Sequence, residues 1–215
     1  MRIALAGASG MVGRYCLQHL LAHPQVSAVV CMGRKALPIQ HAKLQQLLLS
    51  ANGQLEQPVA ADAFLCSIGT TAKKTTDKAT YESIDRGLPV HLATELQRQG
   101  CQRVAIVTAM GANPHSGIFY NRIKGLVEED LKQLKLQSLC ILRPSIIDGP
   151  RQESRPGEQI ALKLMKFFAP VIPAPYRPIH ADTISQALVQ CGLHAPAGQF
   201  TYLSHQLSAV AAGQF

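Results

Sequence analysis

The sequence has no tryptophan, and aromatic residues make up only 5% of its 215 residues. Its six cysteines (Cys16, Cys31, Cys66, Cys101, Cys140 and Cys191) include no C-x-x-C pair, so neither a zinc site nor a disulfide framework is indicated and no metal is expected. Several lie in apolar runs, where cysteine acts as a small hydrophobe, and a reducing cytoplasm is the expected compartment. No apolar run is long enough to span a bilayer, so no membrane partner is expected. The apolar stretch after Met1-Arg2 is broken by glycines and no cleavage site follows it, so it is not read as a targeting segment. Basic blocks interleaved with aromatics are missing too. The formal charge of +8 is therefore assigned to a basic surface or an anionic ligand, with no nucleic-acid partner expected. Finally, no Asp or Glu occurs between Gly13 and Glu56.

With 47% hydrophobic and 16% charged residues, the chain suits one domain over residues 1–215, with 151–182 and 195–215 as substrate-side or peripheral segments. It is organised around Gly7-Ala8-Ser9-Gly10-Met11-Val12-Gly13. The apolar run Ile3-Ala4-Leu5-Ala6 before it is the length of one buried strand. After it, Val12, Cys16, Leu20 and Leu21 fall at helical spacing. Strand, glycine turn and helix is the context in which backbone N–H groups and the helix dipole favour a phosphate. Gly7, Ser9, Gly10, Met11, Val12 and Gly13 are the candidate contacts, with Gly13 allowing the helix to pack closely on its strand.

The first helix should stop near His23-Pro24, because the residue before proline disfavours helix. Val26–Cys31 reads as a second buried strand, followed by Gly33-Arg34-Lys35. At that point a dinucleotide fold meets the adenosine ribose: an acid bonds the 2′-hydroxyl of NAD, whereas arginine accommodates the 2′-phosphate of NADP. The acid is missing and two cations stand there, so Arg34 and Lys35 point to NADP(H). Leu44–Leu49 fits a third strand or a short helix, and residues 36–62 look too short for a full strand-helix-strand passage. Ala63–Ile68 is the next strand. It runs into Gly69-Thr70-Thr71, which makes Ser67, Ile68, Gly69 and Thr70 candidate cofactor contacts, and a Lys-rich solvated loop follows. A helix over residues 79–99, with Ile84, Leu88, Val90, Leu92 and Leu96 buried and a kink at Pro89, leads to a central strand Arg103–Thr108.

Tyr120-Asn121-Arg122-Ile123-Lys124 opens an amphipathic helix. Tyr and Lys four apart share a helical face, and an ammonium beside a phenol lowers its pKa toward the working range. Such a tyrosine can pass a proton to or from a carbinol oxygen, and the lysine can hold ribose hydroxyls. Of the five tyrosines, only Tyr120 has lysine at this offset. Ser138–Leu142 is a further strand, and Arg143–Pro150 follows as a turn that is either structural or ligand-facing. Helices over 157–168 and 183–191, an edge strand Phe200–Leu203, a packing role for His180 and a loosely held end over 205–215 complete the reading.

The G-x-x-G-x-x-G spacing resembles the short-chain dehydrogenase/reductase superfamily. Gly69-Thr70-Thr71, Gly111-Ala112-Asn113 and Phe119-Tyr120…Lys124-Gly125…Glu128 are most similar to its atypical branch of Tat-interacting, oxidoreductase-like proteins and their bacterial relatives, over roughly residues 1–190. The resemblance implies an α/β Rossmann-type, doubly wound parallel sheet of six to seven strands, helices on both faces and a small C-terminal appendage. It also implies a nicotinamide cofactor, with Pro144 beside the nicotinamide and a Tyr120/Lys124 pair. The branch often has two adjacent serines where this chain reads Thr108-Ala109; Thr108 keeps a hydroxyl to steady a carbonyl, and the set is incomplete if the working serine matches Ala109. The superfamily's helix asparagine has no clear match, Asp85 being the nearest candidate. The leading reading is an NADP(H)-dependent oxidoreductase acting on a small carbonyl or alcohol. The alternatives are an NADPH-binding redox sensor with a protein partner and, ranked lower, a nucleotide-sugar epimerase or dehydratase.

Overall fold

Nine strands and six helices are placed by a computed structural model that describes residues 1–50, 52–70, 75–149 and 173–215. The strands are β1 (Arg2–Ala6), β2 (Ala28–Gly33), β3 (Leu44–Leu48), β4 (Ala63–Cys66), β5 (Arg103–Val107), β6 (Ser138–Arg143), β7 (Ile147–Asp148), β8 (Ile179–His180) and β9 (Gly198–Leu203). The helices are α1 (Met11–Ala22), α2 (Lys78–Glu82), α3 (Leu88–Arg98), α4 (Phe119–Gln133), α5 (Ala181–His194) and α6 (Leu207–Ala211). Seven strands form one sheet in the order β3-β2-β1-β4-β5-β6-β9, every pairing parallel, and β7 pairs with β8 separately. The order reverses between β1 and β4. In open parallel sheets the ligand crevice lies there, outside the carboxyl ends of the strands.

The inner strands are mostly apolar because both faces are covered, whereas the edge strands β3 and β9 carry Gln45, Gln46, Gln199 and Thr201 and stay largely half-buried or exposed. Along β1, Ile3 and Leu5 face a core shared with Leu17 and Leu20 of α1 and Ile184 and Leu188 of α5. Ala4 and Ala6 face the opposite core, with Leu92 and Leu96 of α3 and Val127 and Leu131 of α4. The same alternation repeats in β4, where Leu65 faces the first core and Phe64 the second. Each fully buried leucine or isoleucine contributes about 1.5–3 kcal/mol, so the two layers fix the sheet between its helices. The expected Rossmann-type fold is the observed one, with β4 rather than β5 in the middle of the sheet.

Several local expectations hold. α1 ends at Ala22, before Pro24. β3 is a strand, and neither the passage from β2 to β3 nor that from β3 to β4 holds a helix among the described residues, so the crossovers there are shortened. β2 starts at Ala28 rather than Val26, because Val26 N–H bonds back to His23 O in the turn after α1. His180 packs its ring against Tyr15 at 5.8 Å and caps α5 through Asp182 N–H. The helix expected over 157–168 and the Lys73-Lys74 part of the Lys-rich loop lie outside the described residues.

Two expectations are corrected. The helix over 79–99 is α2 and α3 joined by a π-helical turn, Ser83–Gly87. Pro89 lacks an N–H and its ring crowds the carbonyl one turn earlier, and a wider turn there relieves both problems. The face consequently rotates: Asp85, Pro89, Leu92, Ala93 and Leu96 are buried, while Ile84, Leu88 and Val90 are only half-buried. The end of the chain is not loosely held. β9 joins the sheet beside β6, and Leu207 and Val210 of α6 are buried in the core that α5 shares.

Candidate functional site

The glycine turn is built by contacts that exclude side chains. Gly7 has φ +88°, and a Cβ there would lie 2.6 Å from the Ser67 carbonyl carbon and 2.8 Å from Ile68 N. A Cβ on Gly13 would lie 2.1 Å from Gly7 O, so α1 sits directly on the turn. Gly10 N–H bonds Gly7 O at 2.9 Å, and Gly10 O takes the first helical bond from Arg14 N–H at 3.1 Å. Gly10 brings no capping side chain, so the first-turn N–H groups of Met11, Val12 and Gly13 are left to an external acceptor. Ser9 and Gly10 are exposed, Met11 is half-buried and Val12 packs inward. The turn and the end of β4 therefore lie against one another, and Ser67 Oγ reaches Ala6 O and Gly7 O at 3.3 and 3.4 Å.

The second part of the site gathers on the far side of β4. Lys124 Nζ of α4 lies 2.7 Å from Asp85 Oδ2 in the π-helical turn, with the side chains 5% and 0% exposed. Asp85 Oδ1 accepts Thr70 N–H at 2.7 Å. Gly69 lies beside this pair: a Cβ there would stand 3.6 Å from Lys124 Nζ and 3.8 Å from Asp85 Oδ2. One turn before Lys124, Tyr120 is 41% exposed. Its phenol is held above the ordinary tyrosine range, because desolvation outweighs the pull of Lys124 and Asp85 pushes the same way as desolvation. The expectation of a lowered Tyr120 pKa is thereby corrected: the pull of Lys124 is present but is outweighed by desolvation, to which Asp85 adds. Tyr81, packed edge-on against Phe119, is also raised by burial and by Asp85.

Thr108 departs from its expected role. Its hydroxyl is buried and donates to Glu128 Oε1 at 2.7 Å, so its proton is committed to a carboxylate on α4 rather than held for a carbonyl. Glu128 also accepts from Arg143 Nε at 3.0 Å and pairs with Arg143 Nη2. Ala109 is buried and has no polar side-chain atom. Pro144 is buried, its carbonyl accepting Met110 N–H at 2.9 Å. The turn that follows reaches the glycine turn, since a Cβ on Gly149 would meet Met11 Sδ at 2.9 Å. Arg34 and Lys35 are exposed just beyond β2, and neither forms an ion pair among the described residues.

The structure thus brings together Gly7–Gly13, Ser67–Thr70, Lys124 and Tyr120 around the reversal point, leaves Arg34 and Lys35 at the β2 end, and turns Thr108 inward. Sequence reasoning gave Asp85 no ionic partner and Glu128 no role. The Tyr120, Lys124, Glu128 spacing of four and four was the signal, because it places two charges on the otherwise apolar buried face of an amphipathic helix.

The HIM1 family model matches residues 29–169. The chain is 33% identical over 207 residues to "Protein fmp52-1, mitochondrial" of Aspergillus terreus, covering 91% of this chain and 89% of that one. It is 29% identical over 168 residues to "Protein HTATIP2" of Rattus norvegicus, covering 75% and 69%. Among solved structures, MoeE5 in complex with UDP-glucose and NAD superposes with a TM-score of 0.69 at 13% identity, covering 99% of this chain and 81% of that one. A short-chain dehydrogenase/reductase superfamily protein from Agrobacterium tumefaciens with bound NAD gives 0.70 at 12% identity, covering 94% and 77%. At such identities the likeness is one of fold. The mitochondrial names of the Aspergillus relatives overturn the cytoplasmic expectation, which rested on scattered cysteines that do not select a compartment. By family model and by relatives along most of its length, the chain belongs to the HIM1 family, and it has the fold seen in short-chain dehydrogenase/reductase proteins.

Proposed function

We propose that this protein is an NADP(H)-dependent oxidoreductase acting on a small carbonyl or alcohol compound. The observation that carries the reading is the convergence, at the reversal point of the sheet, of an uncapped glycine turn with the Lys124–Asp85 pair one helical turn from Tyr120. The residues fit a dinucleotide. The N–H groups of Met11, Val12 and Gly13 suit a diphosphate, side chains are kept out at Gly7 and Gly10, and Ser67–Thr70 forms the facing wall. Arg34 and Lys35 suit a 2′-phosphate, which a lone acid would repel. When bound, the dinucleotide supplies or accepts the hydride.

The chain's own residues supply the rest. Lys124, anchored by Asp85, holds ribose hydroxyls. Tyr120 donates its proton to the carbonyl oxygen in reduction and takes one from the alcohol in oxidation. Because the phenol titrates above its ordinary value, it is protonated throughout the neutral range. Reduction should therefore be nearly independent of pH there, whereas oxidation should speed up as pH rises into the alkaline range.

A second reading, an NADPH-binding sensor with little turnover, is favoured by one observation: Thr108 is turned to Glu128 and Ala109 offers no hydroxyl. Calorimetry with NADPH and NADH, followed by a carbonyl panel with NADPH in wild type and Tyr120→Phe, separates the two. Preferred NADPH binding with turnover lost in Tyr120→Phe supports the oxidoreductase. Tight NADPH binding with no turnover supports the sensor, and failure to bind either dinucleotide ends both.

A further inference from the structure

Two buried ion pairs of opposite sense hold α4 at successive turns. Lys124 reaches Asp85 at 2.7 Å on one side, and one turn on, Glu128 reaches Arg143 at the end of β6 on the other. Glu128 is 2% exposed and Arg143 25%. Burying a carboxylate is costly unless its oxygens are satisfied. Here Oε1 accepts from Thr108 Oγ1 at 2.7 Å and Arg143 Nε at 3.0 Å, and Oε2 pairs with Arg143 Nη2. Such an arrangement is not needed to fill space, since a leucine would fit an apolar helix face at least as favourably.

What the pair does is tie elements together. Thr108 lies at the end of β5, and its N–H bonds Leu142 O of β6 at 2.8 Å. Arg143 precedes Pro144, whose carbonyl holds Met110, and the turn continues to Gly149 against Met11 at the start of α1. On the helix itself, Gly125 lets α4 press onto the 113–114 backbone, where a Cβ would lie 2.2 Å from Pro114 N. Glu128 is therefore the point at which the helix bearing Tyr120 and Lys124 is fastened to the ends of β5 and β6, and through them to the turn beside the glycine motif.

We propose that Glu128 is a positioning residue: through Thr108 and Arg143 it sets where α4 presents Tyr120 and Lys124 at the carboxyl edge of the sheet. The proposal rests on the reading of Tyr120 and Lys124 as the working pair.

The test follows Tyr120 directly. The full chain is prepared with 3-fluorotyrosine, whose phenol titrates at lower pH than tyrosine, and the Tyr120 fluorine resonance is assigned by its loss in Tyr120→Phe. The charged and titratable groups around this phenol are Lys124 on α4, Asp85 in the π-helical turn and Tyr81 on α2. Removing the Glu128 anion in Glu128→Gln would, by charge alone, lower the Tyr120 midpoint. Loss of position moves it the other way, because Lys124 then stabilises the phenolate less well. The expected result is a rise of about half a pH unit or more in Glu128→Gln. A smaller rise is expected in Thr108→Val, which changes no charge. Both proteins should retain the wild-type circular dichroism, and any NADPH turnover should fall in kcat more than in KM.

An unchanged or lowered midpoint in Glu128→Gln, or no movement in Thr108→Val, overturns the proposal even if thermal stability drops. Failure of the wild type to bind NADPH would remove the oxidoreductase reading instead, while the fluorine titration still decides whether Glu128 positions Tyr120.

Discussion

Lys124 and Asp85 form an ion pair at 2.7 Å with neither side chain more than 5% exposed, and Asp85 sits in the only π-helical turn among the described residues. Such turns are frequent at functional sites. This one swings an acid onto a face where the sequence pattern calls for an apolar residue.

Asp85→Asn keeps the shape and an oxygen for Thr70 N–H but leaves Lys124 buried without a counter-charge. Breaking a buried pair in this way costs about 3–5 kcal/mol, which urea unfolding would register. Desolvation is the main cause of the raised Tyr120 phenol, but the same change removes the carboxylate that adds to it and leaves Lys124 uncompensated, so the Tyr120 midpoint should fall. A midpoint that stayed put would show that Asp85 does not act on the phenol.

The glycine turn gives a paired stability prediction. Gly13→Ala would place a methyl 2.1 Å from Gly7 O, inside any tolerable contact, and should cost more than about 2 kcal/mol or abolish folding. Gly117→Ala meets nothing within 4 Å and should change stability by less than about 1 kcal/mol. Thermal unfolding of the two variants reads the contrast.

Arg34→Ala/Lys35→Ala should weaken NADPH binding by about tenfold, or ~1.4 kcal/mol, and leave NADH binding nearly unchanged. Both cations are exposed, so the wild-type preference should itself shrink as salt is raised. Calorimetry at two ionic strengths measures both effects, and equal losses for the two dinucleotides would refute this role.

Leu207→Ala should destabilise the protein by about 2–5 kcal/mol, because Leu207 is 0% exposed in a core shared with α5 and β6. Denaturant unfolding checks it. A loss below about 0.5 kcal/mol would mean that the end of the chain is dispensable to the core.

Much of the fold was legible because its determinants are local. Apolar runs of strand length, glycines at a turn that excludes side chains, and helical spacing after Met11 are properties of neighbouring residues. They specified the parallel sheet, the glycine turn and the helix carrying Tyr120 and Lys124. The last helix was not legible, since five residues from Leu207 to Ala211 give little periodicity and become helical by packing against α5. The rotated face of α3 was hidden for a related reason: one inserted residue in a π-helical turn defeats a fixed 3.6-residue pattern.

The sequence by itself determined the fold class, the position of the glycine turn and which tyrosine has a lysine one turn away. Only the tertiary structure decided what those residues face. Asp85 meets Lys124 and Thr108 meets Glu128 across elements far apart in the chain, so their charges and hydrogen bonds depend on packing that no local pattern encodes. In a dry interior each such partner changes a titration or commits a proton. That is why the sequence could nominate candidate site residues, while the raised Tyr120 phenol and the inward turn of Thr108 depended on packing.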